Sequence, residues 1–175
     1  MSRKSYYTGC HSDKYVLANP DKYMESLPEP VYKSDWERKI FAFCDYNPFV
    51  TRWGYEPFAI SYFSPVKQRM SIYKPDIYVE CQYNDGTKEK WLMEIKPVAY
   101  SVMPKAPKAV QEGATAKQIL NFQKRDLAYQ RKSMDVITNY AKWEAAEKWC
   151  QNHGVNWLVL NESNTLGLFK SNQSV

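Results

Sequence analysis

The sequence predicts an α/β fold: a three-layer mixed sheet with helices on both faces, in the order α-β-β-β-α-β. Three observations carry this reading. Residues from Ile72 to Tyr83 alternate, turn at Asn84-Asp85-Gly86, and return as Lys90 to Lys96, which is the pattern of a β-hairpin. Helix-period apolar positions precede and follow that hairpin. A short apolar run, Val155-Asn156-Trp157-Leu158-Val159-Leu160-Asn161, then supplies a last strand.

In chain order, residues 1–32 hold Asn19-Pro20, Pro28 and Pro30 without sustained periodicity and read as an irregular N-terminal arm. Ser34 to about Asp45 reads as a helix, with apolar residues at Trp36, Ile40, Phe41, Phe43 and Cys44, stopped by Asn47-Pro48. A strand is expected from about Glu56 to Phe63, then the hairpin. In the hairpin, Ile77, Val79, Cys81 and Tyr83 alternate against Asp76, Tyr78, Glu80 and Gln82. Pro97, Pro104 and Pro107 mark a loop of about a dozen residues. Helical segments are expected from about Ala114 to Tyr129 and from Asp135 to Asn152, with Gly154 as the stop before the last strand. The core domain therefore spans 33–165 and a tail occupies 166–175.

With 175 residues, 44% hydrophobic and 25% charged, the chain suits one globular domain and not a disordered one. No run approaches the ~20 apolar residues of a membrane span, and Met1-Ser2-Arg3-Lys4-Ser5-Tyr6-Tyr7 lacks a signal-peptide core. Cys10, Cys44, Cys81 and Cys150 lie far apart, and with only two histidines they offer neither a zinc set nor a disulfide framework. They read as ordinary buried thiols, and Cys10-His11 carries no signal. The net charge of +5 is concentrated between Pro97 and Lys132, where seven basic residues face two acids; elsewhere 17 of each sign balance. Such a segment, with Lys105, Lys108, Lys117, Lys124 and Arg125, suits a polyanion, or equally a solvated face.

The chemistry sits on the hairpin. Pro75-Asp76 opens one strand and Glu94-Ile95-Lys96 closes the next, with Glu94 and Lys96 on one face by the period of two. A turn at Asp85-Gly86 brings Asp76 beside Glu94. Two adjacent carboxylates repel unless a cation joins them, and converging oxygens suit Mg²⁺. Such an ion polarises a phosphate and activates water, while a lysine orients water and offsets phosphoryl charge. The chemistry implied is phosphodiester hydrolysis. Glu37 has a complete structural explanation, because Ser34-Asp35-Trp36-Glu37 fits a capping box.

The arrangement P-D…(D/E)-x-K resembles the PD-(D/E)XK nuclease superfamily, whose restriction-endonuclease-like core has this element order. Further blocks resemble the head completion nucleases of large contractile-tailed bacteriophages. These are Tyr32-Lys33-Ser34-Asp35-Trp36-Glu37-Arg38-Lys39, Phe43-Cys44-Asp45-Tyr46-Asn47-Pro48 and Trp53-Gly54-Tyr55-Glu56. Ser64-Pro65-Val66, Tyr73-Lys74-Pro75-Asp76-Ile77-Tyr78, Leu92-Met93-Glu94-Ile95-Lys96-Pro97 and Asn139-Tyr140-Ala141-Lys142-Trp143-Glu144-Ala145-Ala146 continue the series. The resemblance runs from about residue 15 to about residue 160 and departs from the pattern over 98–130.

The resemblance implies an Mg²⁺-dependent endo- and exonuclease, with Mn²⁺ as a possible substitute. It implies metal ligands at Asp76 and Glu94, the catalytic lysine at Lys96, and Glu37 as an acidic helper ligand. Asn139 and Lys142 then lie near the phosphate; otherwise they belong to a solvent-facing stripe beside Trp143 and Trp149. Glu56 could border the site, although strand-edge solvation explains it as well. The implied partners are double-stranded DNA and phage head, portal or neck proteins, with no membrane, in the host bacterial cytoplasm during virion assembly. The competing readings are a non-catalytic DNA-binding head-closure protein and a restriction- or transposition-type endonuclease.

Overall fold

The computed structural model describes residues 13–164. Eight strands and two long helices follow one another: β1 (Asp13–Lys14), β2 (Val31–Tyr32), α1 (Asp35–Tyr46), β3 (Val50–Tyr55), β4 (Ile60–Ser64), β5 (Arg69–Tyr73), β6 (Ile77–Gln82), β7 (Lys88–Ile95), α2 (Ala116–His153) and β8 (Asn156–Leu160). The main sheet has the order β3-β6-β7-β8, antiparallel except for the last pair, where β8 runs parallel to β7. This is the mixed sheet of a restriction-endonuclease-like core. The parallel pair follows from α2, which returns the chain to the same end of the sheet.

Each face of the sheet carries its own core. Ile77, Val79, Met93 and Ile95 pack with Ile40, Phe41 and Cys44 of α1 and with Trp53. Tyr78 and Leu92 point the other way and pack with Trp143, Ala146 and Cys150 of α2 and with Ile60, Tyr62 and Tyr73. Asp76, Glu94 and Lys96 share the parity of Tyr78 and Leu92, so these three side chains fall on the α2 side. α1 is started by Ser34, whose Oγ accepts the Glu37 amide at 3.1 Å.

Four sequence expectations are corrected. The run 72–83 is two strands, because Pro75 has no amide to give a ladder, and the chain passes there from one sheet to another. The strand expected from Glu56 to Phe63 begins only at Ile60, as β4, because Glu56 at φ 47° and Pro57 break the extended run, and β3, which precedes them, was not expected. Thus β4 and β5 form a separate two-stranded hairpin lying against α2. The two expected helices after the loop are one 38-residue helix. No Pro or Gly interrupts it, and Ser133 Oγ donates to the Tyr129 carbonyl, staying within the helix instead of ending it.

The arm is also ordered within the described residues. β1 pairs with β2, and the buried Asp45 side chain accepts the amides of Ala18 (2.8 Å) and Asn19 (3.0 Å) and the Tyr15 hydroxyl (3.2 Å). A carboxylate bound by several donors holds a loop that lacks periodicity of its own. Gly54 in β3 lies so close to the arm that a Cβ there would fall 2.5 Å from Leu27 Cδ1 and 2.7 Å from Met24 Sδ. The expected tail 166–175, the Cys10-His11 pair and Arg3-Lys4 lie outside the described residues. Cys44 and Cys150 are buried free thiols, as expected, whereas Cys81 is only half-buried; burial pushes all three up.

Candidate active site at the end of the sheet

The β6–β7 ladder ends at the Ile77–Met93 pair, and the site begins where it stops. Asp76, just beyond that pair, accepts the Ile95 amide on Oδ2 at 2.8 Å, so its carboxylate takes over where strand pairing ends. Glu94 is buried, with 4% exposure; its Oε2 accepts the Tyr73 hydroxyl at 2.6 Å and its Oε1 lies 3.6 Å from Lys96 Nζ. Tyr73 ends β5 and reaches Glu94 because Lys74-Pro75 carries the chain directly from that hairpin to β6.

The electrostatics show crowding of negative charge. Loss of hydration raises Asp76 well above the ordinary carboxylate range, and the charges of Glu94 and Glu37 push the same way. The Ile95 amide and Lys96 oppose the rise without cancelling it. Lys142 is half-buried on α2, with Nζ 5.5 Å from the centre of the Tyr73 ring. Burial lowers its affinity for a proton, Lys96 and Lys67 add to the effect, and the attractions of Glu94 and Asp76 oppose it.

The sequence-nominated residues divide accordingly. Asp76, Glu94, Lys96 and Lys142 converge, and Lys96, Asn139 and Lys142 line a cleft of ≈ 530 Å³ with Lys67, Tyr100 and Arg131. Asn139 also donates to the Tyr100 carbonyl at 3.2 Å, pinning the segment after β7 to α2. Glu37 lies on the other side of Lys96, lining an adjoining cleft, and its carboxylate accepts the Lys33 amide, one residue before the Ser34 amide that the expected capping box would use. It is therefore a helix-terminal acceptor and also a charge that Asp76 feels.

Glu56 donates its amide to the Asp76 carbonyl at 2.9 Å, but its carboxylate is engaged by Lys33 at 2.9 Å and the Tyr55 hydroxyl at 2.8 Å. Lys105 and Lys108 are exposed in the loop, and Lys117, Lys124 and Arg125 are exposed on the first turns of α2. Sequence reasoning missed the part of Tyr73. Its hydroxyl is unremarked in a tyrosine-rich chain, and only the β5–β6 connection shows what it meets.

A divalent ion fits the donor set. Asp76 and Glu94 are hard oxygen donors, and burial first, then the charge of Glu94, raises Asp76, a rise that a bound cation would oppose. Among the described residues, no three His, Cys, Asp or Glu side chains form a ready-made metal cage.

The chain is 28% identical over 155 residues to the head completion nuclease of Enterobacteria phage T4, covering 87% of this chain and 91% of that protein. The model of the family described as "TnsA-like endonuclease N terminal" matches residues 47–162, from the end of α1 past β8. That span includes both carboxylates, Lys96, Asn139 and Lys142, and leaves out Glu37. With that span covering well over half of its length, the chain belongs to the TnsA-like endonuclease N-terminal family.

Proposed function

We propose that the protein is a divalent-metal-dependent DNA nuclease that acts on DNA during phage head completion. The observation that carries the catalytic reading is the meeting of Asp76, buried Glu94 and Lys96 at one end of the β6–β7 hairpin. Asp76 and Glu94 would hold the ion, Mg²⁺ by preference with Mn²⁺ as a substitute, and Glu37 would aid from α1. The ion supplies Lewis-acid charge stabilisation and a water of lowered pKa.

The chain's own residues do the rest. Tyr73 fixes the Glu94 carboxylate, and the Ile95 amide fixes that of Asp76. Lys96, partly exposed beside Glu94, orients the attacking water and offsets charge on the phosphoryl oxygens. Lys142 and Asn139 line the cleft on the α2 side, where a phosphate neighbouring the scissile one would rest.

The morphogenetic role is supported by the similarity to the phage nuclease, which extends beyond the family match to 155 residues. Host cytoplasm during assembly, and head, portal or neck proteins as partners, follow from that role. Among the described residues no helix is long and apolar enough to cross a membrane. A transposition-type endonuclease is the second reading, favoured by the family description itself. The deciding experiment incubates purified protein with supercoiled plasmid, with Mg²⁺ or with EDTA, beside Lys96→Ala. Nicking only with metal, and only by the unaltered protein, supports the nuclease. Absence of cleavage under every metal tried leaves the non-catalytic head-closure role instead.

A further inference from the structure

The basic residues of α2 are not spread evenly around the helix. Lys117, Lys124 and Arg131 recur every seven residues, and Thr138 and Lys142 continue the row at the next seven and the following four. Seven residues is close to two turns, so the row drifts by only ~20° per step and stays on one stripe. Arg131, Asp135, Thr138, Asn139 and Lys142 of this stripe form the α2 wall of the cleft beside Lys96. The stripe's orientation is therefore anchored at its active-site end. Arg125 and Lys132, each one residue further on, stand ~100° around the helix.

A second element meets the row at the cleft. Lys67 lines the opposite wall from the β4–β5 turn, which is held by the Ser64 hydroxyl accepting the Lys67 amide at 3.2 Å and by Gln68 at φ 51°. Among the described residues, none of Lys67, Lys117, Lys124, Arg131 and Lys142 has an ion-pair partner within 4.0 Å. Cations left unpaired in one row are available to an external polyanion.

We propose that Lys117, Lys124, Arg131 and Lys142 form a rail along α2 that carries one DNA backbone into the catalytic cleft, where Lys67 closes on it from the β4–β5 turn. The proposal rests on the nuclease reading and assigns the path of the substrate. At 1.5 Å per residue, the rail from Lys117 to Lys142 is ~38 Å long, with cations ~10 Å apart over its first two steps. The remaining cations of the segment, Arg125 and Lys132 included, then contribute only general field.

The test compares two double variants of equal charge change, Lys124→Gln with Arg131→Gln and Arg125→Gln with Lys132→Gln. Binding to a labelled 30-base-pair duplex is followed by fluorescence anisotropy in EDTA across a salt series. All four positions are exposed, and circular dichroism verifies that α2 is intact. The rail predicts that the first pair lowers the log–log salt slope by ~1.8, from ~0.9 per lost phosphate contact, while the second leaves it unchanged. Equal loss in both pairs, or loss only in the second, overturns the rail and leaves a diffuse basic face. Failure of the unaltered protein itself to bind duplex or to nick plasmid overturns the nuclease reading, and the proposal with it.

Discussion

Replacing Asp76 with Asn should stabilise the metal-free protein, and by an amount that grows with pH. Asparagine keeps an oxygen to accept the Ile95 amide, so the backbone contact at 2.8 Å survives while the charge beside Glu94 disappears. In the unaltered protein without metal, the folded-state pKa of Asp76 is raised well above its usual 3.8. Below 3.8 the carboxyl is protonated whether folded or not, and it costs nothing. Between 3.8 and the raised value, the folded chain holds a proton that the unfolded chain has released.

In that window stability falls as pH rises, by up to ~1.4 kcal/mol per pH unit. For a chain of this size, that is a fall of about 3–6 °C in Tm per unit. The difference in Tm between Asp76→Asn and the unaltered protein, measured in EDTA, should thus widen from pH 4 upward and then level off. Titrating groups not coupled to Asp76 cancel in the difference. Adding Mg²⁺ should reverse the order, since only the unaltered protein gains the ~2.7 kcal/mol of binding at a hundred times Kd. Parallel curves at every pH, or a destabilised variant in EDTA, would refute the account of Asp76 as a crowded carboxylate awaiting a cation.

Four further outcomes can be checked. Lys96→Ala should lower plasmid nicking by a hundredfold or more with Tm little changed, since Lys96 is partly exposed and its ammonium acts on charge in the transition state; nicking at the unaltered rate would remove it from the mechanism. Glu37→Gln keeps an acceptor for the Lys33 amide, so it should leave stability within about 0.5 kcal/mol but reduce turnover at saturating metal; undiminished specific activity restricts Glu37 to helix capping. Gly54→Ala should cost about 1–3 kcal/mol by thermal melting, because the new methyl collides with Leu27 and Met24 of the arm; a neutral result would mean the arm yields freely. Acidification should weaken the Lys33–Glu56 link between α1 and β3. Burial works against the charge of Glu56, but its bonds to Lys33 and Tyr55 outweigh that and hold its pKa below 4.5, so their stabilisation is present above 4.5 and is lost as pH falls below it. Glu56→Gln should flatten that acid limb of the melting curve.

The hairpin and the meeting of its charged groups were legible in the residues because both are local. Asn84-Asp85-Gly86 sets the turn, period-two alternation sets the faces, and together they bring Asp76 to Glu94 and Lys96 with no long-range information. The helix at α1 was legible for the same reason, since Ser34 and Glu37 announce its start within four residues.

What stayed hidden depends on contacts distant in sequence. β3 contains Arg52 and Gly54, which spoil its pattern, and Gly54 is explained only by the arm folded over it. The arm itself takes its order from Asp45, more than 25 residues away. The division of 72–83 into two strands in two sheets turns on where β4 finds its partner, which local alternation does not encode. Tyr73 became part of the site only through that division, and α2 proved continuous because tertiary packing of its second half sustains a helix whose exposed first half buries nothing. Sequence alone determined which charged groups the hairpin brings together, since spacing along a strand and through a tight turn is short-range geometry. The tertiary structure decided their surroundings, because burial, crowding of charge and the cleft between α2 and the β4–β5 turn exist only once distant segments meet.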